Sequence, residues 1–153
     1  MNTFWKKSTA ISLIAVIAGA VAHGQENDAA KKALSQLQGE WTLVSGTNDG
    51  SPLPPQMLAS GRRICLGNSV TLMNGTQMVM KATMIIDPSK KPQRLDYQVN
   101  EGPSKGKKRM GIYELNGDSF KSCFGAPDAP RPKEFASKQG DGHVLTTWKR
   151  VKK

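Results

Sequence analysis

The residues able to do chemistry are few. His143 is the histidine best placed for it, because His23 lies in the N-terminal leader described below. A Ser-His-Asp arrangement would have to pair His143 with Asp141, and a haem ligand on the last strand would have to be the same side chain. Gly140-Asp141-Gly142-His143, however, first of all reads as a turn entering a strand. Paired carboxylates for glycoside hydrolysis could come from Asp87, Asp96, Glu101, Glu114, Asp118 and Glu134. Most of these sit in turns or at strand ends beside lysine, where a solvated charge is the ordinary explanation. Two cysteines, Cys65 and Cys123, are too few for zinc without a matching histidine pair. No glycine-rich phosphate loop is present. The sequence therefore predicts no catalytic residue, no metal site and no cofactor, and the expected protein is not an enzyme.

What these residues hang on is mostly strand. Lys6 and Lys7 precede an uncharged apolar run, Ala10 to Ala22, with small residues at cleavage spacing. Such a run is too short to span a bilayer of about 30 Å and fits a secretory signal. Residues 1–22 are expected to be removed, with cleavage as late as residue 24 as the alternative. The mature protein is expected in the periplasm or outside the cell, with no membrane span. Residues 23–36 form an N-terminal segment and short helix. The helix is expected from Asn27 to Gln38, where Ala30, Leu34 and Leu37 share a face and Gly39 ends it.

Residues 37–153 then form one β domain. Strands are expected at Trp41–Val44, Arg63–Leu66, Val70–Met73, Met78–Ile86, Arg94–Val99, Arg109–Leu115, Ser119–Phe124 and Val144–Val151, with a further short one at Glu134–Ser137. A helical turn is expected at Pro55–Ala59. Asn74-Gly75 and Asn116-Gly117 are hairpin signals. Successive hairpins make a meander, and closing a meander removes its exposed edges. The expected fold is mainly β: a small antiparallel up-and-down β-barrel of eight or nine strands with a short N-terminal helix. A two-sheet sandwich is the competitor.

Charge narrows the partners. The chain carries 22 Lys and Arg against 12 Asp and Glu, a formal +10. Losing Lys6 and Lys7, and no acid, leaves +8. An exported cation of this kind meets small anions or anionic envelope components. Nucleic acid is not expected, since the basic residues form no helical stripe with interleaved aromatics. A monomer is expected.

Gly39-Glu40-Trp41 opens the first strand after a short helix, and Trp148-Lys149-Arg150 lies on the last. This resembles lipocalins and their relatives, in which Gly-x-Trp starts the barrel and an arginine from its end covers the ring. The resemblance assigns Gly39, Trp41 and Arg150 structural roles at the closed end. A longer series occurs in order: Leu37-Gln38-Gly39-Glu40-Trp41, Ile86 to Pro92, Gly111 to Asp118, Arg131-Pro132-Lys133-Glu134-Phe135 and Lys149-Arg150. Together these resemble an uncharacterised lipocalin-like small-domain family expanded in planctomycete bacteria. That resemblance implies a lipocalin-like barrel and a bacterial, often exported, protein, and no particular activity.

Two readings of function follow. Met78, Met80 and Met84 share one face of a period-two strand, facing Tyr97 on the next and Met110 on the one after. Methionine adapts to irregular apolar shapes, so these residues are candidates for a ligand cup. In the lipocalin arrangement Lys105, Lys107, Lys108, Arg131 and Lys133 would form a basic rim at its open mouth. An anion with a long apolar tail satisfies both. The alternative is a filled barrel acting at the envelope through its basic surface. Apolar Ile64 and Leu66 are expected to face inward, as are Phe120 and Phe124. This turns Cys65 and Cys123 outward on separate walls, so no required disulfide is expected, although the exported compartment would permit one.

Overall fold

A computed structural model describes residues 19–153, without the side chains of residues 19–23 and 26. Lys6, Lys7 and most of the apolar run lie outside the described residues. Helix α1 spans Gly19–Leu37, longer at its start than Asn27. The strands are β1 (Gly39–Asn48), β2 (Ser51–Pro52), β3 (Gly61–Leu66), β4 (Ser69–Asn74), β5 (Gln77–Asp87), β6 (Gln93–Glu101), β7 (Lys108–Asn116), β8 (Ser119–Phe124) and β9 (Val144–Arg150). The turn α2 (Pro55–Ser60) lies between β2 and β3. All neighbours pair antiparallel, and β1 also pairs with β9. Eight strands thus close an up-and-down barrel, with β2 as a two-residue addition beside β1. Glu134–Ser137 forms no strand. It belongs to the long loop from Gly125 to His143.

Antiparallel order puts the β4–β5, β6–β7 and β8–β9 connections at one end with α2. The other end holds α1 and the remaining turns. At this closed end Gly39 adopts φ +106°, a left-handed conformation that side chains strain to reach. Trp41, fully buried, donates its indole N–H to the Leu37 carbonyl at 2.9 Å. Arg150 pairs with Trp41 across β1 and β9, its guanidinium 4.1 Å from the ring centroid. The same guanidinium donates to the Gln36 and Gln38 carbonyls at 2.6 and 2.5 Å and meets Asp118 at 3.2 Å. A cation thereby satisfies carbonyls at the C-terminal end of α1, where the helix dipole favours it.

Side-chain parity departs from the apolar-inward expectation on three strands. On β3, Arg63 and Cys65 face inward while Ile64 and Leu66 are 41% and 79% exposed. On β7 the inward row is Arg109, Gly111, Tyr113 and Leu115, because these face Tyr97, Leu95 and Phe120 across the ladders. Gly111 is required there: a Cβ would lie 2.5 Å from the Phe124 ring. That ring is free to stack on Tyr97, centroids 4.2 Å apart. On β5 a bulge shifts register between Leu72 and Met73. Met80 continues the inward row and Met78 leaves it.

The outward apolar residues of β7 and β8 explain the long loop. Ile112 and Cys123 are buried on the outer face. The loop folds back over them, and the Cys123 thiol donates to the Ala136 carbonyl at 3.4 Å. Burial pushes the Cys123 thiol up, only partly opposed by that bond. Cys65 lies inside the barrel, so the two thiols are unpaired on opposite faces of the wall. The expected free thiols stand, but the reason for Cys65 is its inward position, not an outward one. Titration of the unreduced protein should find two thiols after denaturation and essentially none before. No thiols at a monomeric mass would contradict this placement.

Candidate functional site

The barrel interior is largely filled by Trp41, Met84, Leu95, Tyr97, Phe120 and Trp148. One cavity of about 50 Å³ remains towards the open end. Its apolar lining is Leu72, Met80, Phe124, Val144 and Trp148, and its polar lining is Arg63, Tyr97, Arg109, Ser122 and Thr146.

Arg63 sits at the centre of this arrangement, 1% exposed. Among the described residues it forms no ion pair. Nη1 donates to the Tyr97 hydroxyl and Nη2 lies 3.6 Å from the Met84 sulfur. The guanidinium carbon is 4.5 Å from the Phe120 centroid and 5.6 Å from that of Tyr97. Nε has no partner. Burying a cation without a counter-charge costs several kcal/mol, and two cation–π contacts of about 0.5–2 kcal/mol each offset part of it. A guanidinium stays protonated even so. For Tyr97, burial pushes the phenol up and Arg63 only partly opposes it, so the phenol is neutral at pH 7.

The rest of the polar lining consists of donors. Tyr97 accepts from Arg63, and its own hydroxyl hydrogen has no acceptor among the described residues. Ser122 and Thr146 hydroxyls lie 3.1 Å apart, and Thr146 also accepts from the Trp148 indole at 2.9 Å. Whichever hydroxyl donates in that pair, one hydrogen remains free. Arg109 donates from Nε and Nη2 to the Gly125 carbonyl at 3.1 and 3.0 Å, and burial pulls its guanidinium down from the ordinary value. Two cations and two spare hydroxyl hydrogens thus surround one cavity that no carboxylate lines. The chemistry such a lining can satisfy is that of a small anion.

The expected ligand residues separate. Met80 and Tyr97 line the cavity, and Met84 packs beside Arg63. Met78 is 39% exposed because of the bulge. Met110 faces outward, its sulfur 3.7 Å from Arg131. Lys105 and Lys107 are exposed in the β6–β7 connection at the open end, and Lys108 reaches Asp96 at 3.8 Å. Arg131 and Lys133 are not at the rim. The folded-back loop carries them down the outer wall, where Arg131 grips Asp96 at 2.5 and 3.1 Å.

Most of the hydrolytic candidates are otherwise engaged, Asp87 with Ser89 and Asp96 with Arg131 among them, while Glu101 stands exposed at the end of β6. His143 Nδ1 faces Asp141 at 3.3 Å and the Ala136 carbonyl at 3.2 Å. The nearby Ser137 hydroxyl donates to the His143 carbonyl, not to the ring. Glu114, Asp118 and Glu134 pair with Lys121, Arg150 and Lys138.

Comparison with known proteins adds no relative. The chain matches no family model, and no curated protein or solved structure is significantly similar to it. Its site is therefore read from its own geometry. Arg63 was not among the residues expected to bind, yet its signal was present. Arg62-Arg63 are adjacent on a barrel strand, so either parity must send one arginine inward.

Proposed function

We propose that this chain is an exported, non-catalytic binding barrel for a small organic anion, whose charged group meets Arg63, Arg109 and the Tyr97 hydroxyl. The observation that carries this reading is the buried Arg63 guanidinium, with an unbonded Nε, on a cavity that offers donors and no carboxylate. The charged contact lies in the interior, not at the expected lysine rim. The ligand is also shorter than the expected long-tailed anion. A drug-sized site has about 300–1,000 Å³, whereas about 50 Å³ here holds little more than the charged group itself, so a short tail would extend towards the open end. The tail would point past Leu72, Met80 and Phe124.

Export from a bacterial cell, with removal of residues 1–22 or 1–24, belongs to the same reading. It rests on Lys6, Lys7 and the Ala10–Ala22 run, as does membership of the lipocalin-like planctomycete family on the ordered segments quoted above.

Native mass spectrometry of protein purified gently from its own culture tests both parts. The expected spectrum lacks the first 22–24 residues and shows a small acid bound one to one, released on denaturation. A mass retaining Met1 on a membrane fraction would overturn the export reading, and a ligand-free spectrum across buffers would count against the site.

A further inference from the structure

The outer wall carries a second feature that does not depend on the interior site. Lys91 and Pro92 in the β5–β6 connection and Arg94 on β6 form one side of a groove of about 340 Å³. Arg131, Pro132 and Lys133 of the folded-back loop form the other side, with Ile112 of β7 between them. Arg94 and Ile112 are direct partners across β6 and β7, so the groove follows the ladder.

Its charge is one-sided. No acid lines it. Arg131 is neutralised by Asp96 and also held by the Gly111 carbonyl at 2.7 Å, so it works as a fixed wall. Lys91, Arg94 and Lys133 form no ion pair among the described residues. Arg94 stands opposite Asp87 across β5 and β6 and helps hold that carboxyl below its ordinary value, so its charge is partly answered, whereas Lys91 and Lys133 approach the concave surface from two chain segments without a carboxylate partner among the described residues. The residues beneath them are apolar but covered, Ile112 being 1% exposed and Pro132 buried, and Pro92 is the exposed apolar residue of the groove. Lys105 and Lys107 show the contrast, since they stand on an open turn and line none of the principal pockets.

We propose that this groove binds a compact organic dianion, a phosphate monoester or dicarboxylate on a small apolar body. A single negative charge leaves one of the two lysines unanswered. Two charges bridge the Lys91–Arg94 side to Lys133, and arginine in particular matches the planar oxygen pairs of such groups. Pro92 and the aliphatic stems of the lysines receive the body.

Calorimetric titration of the full chain with phenyl phosphate tests this, with benzoate and inorganic phosphate as partial probes. One-to-one binding is expected, at least roughly tenfold tighter for phenyl phosphate than for either probe, and weakening as salt screens the exposed cations. The double variant Arg94→Gln, Lys133→Gln should lose roughly tenfold or more with a little-changed melting curve, because both side chains are exposed, neither makes a hydrogen bond, and the Arg94–Asp87 attraction is a screened surface one. Lys91→Gln serves as an independent second variant. Arg63→Met should leave phenyl phosphate binding intact, which separates this groove from the interior site. Equal affinity for benzoate, or full binding by the double variant, would overturn the proposal. Loss of binding in Arg63→Met alone would overturn it too, placing the dianion inside the barrel.

Discussion

Replacing Trp41 by alanine is expected to lower the unfolding free energy by about 3–5 kcal/mol, the usual cost of emptying a buried aromatic site. Three losses coincide. The ring is fully buried against Phe120, with centroids 5.8 Å apart. Its N–H satisfies the Leu37 carbonyl at the end of α1. Its face carries the Arg150 guanidinium. Arg150→Ala should cost less, about 1.5–3 kcal/mol, because it removes charge-assisted hydrogen bonds but leaves the ring in place. Arg150→Lys should recover little, since one ammonium cannot serve Gln36, Gln38 and Asp118 and still cover the ring. Urea melts measure all three. Trp41→Ala as stable as the parent would contradict the closed-end arrangement.

The second large effect has the opposite sign. Converting Arg63 to methionine together with Tyr97 to phenylalanine should raise the stability of the empty protein by about 1–4 kcal/mol, the range seen when buried charges give way to packed apolar groups. Arg63 pays a desolvation cost that no carboxylate offsets, and the double change leaves no unsatisfied hydroxyl behind. Arg63→Met alone gains less, because Tyr97 loses its partner. The same variants should lose the anion. A site that destabilises the resting fold and serves a ligand predicts this trade between stability and binding. Double-mutant melts that come out several kcal/mol less stable would mean that Arg63 serves the core.

The architecture was legible because its signals are local. Asn74-Gly75 and Asn116-Gly117 set hairpins, alternation marked the strands, and Gly39-Glu40-Trp41 with Arg150 marked where the barrel closes. Parity was harder to read. Apolar Ile64 and Leu66 suggested an inward face, but the interior is decided by ladder register around the whole ring, and that register sends Arg63 and Cys65 inside. The bulge at Leu72/Met73 displaced Met78, and no residue type announces it. Arg131 and Lys133 left the rim because the loop is drawn over outward Ile112 and Cys123. That packing joins residues distant in sequence and has no local signature.

Calorimetry with a carboxylate series from acetate to hexadecanoate separates a barrel that binds an organic anion through Arg63 from one that is simply filled. Wild-type protein should bind the short members one to one, gaining about 0.8 kcal/mol per methylene while the tail still fits and little beyond a few carbons. Arg63→Met should weaken the best of them by roughly 30-fold or more, in line with losing a buried charged contact worth about 2 kcal/mol or above. Equal affinity in wild type and Arg63→Met, or binding by neither at any chain length, would contradict anion binding at Arg63.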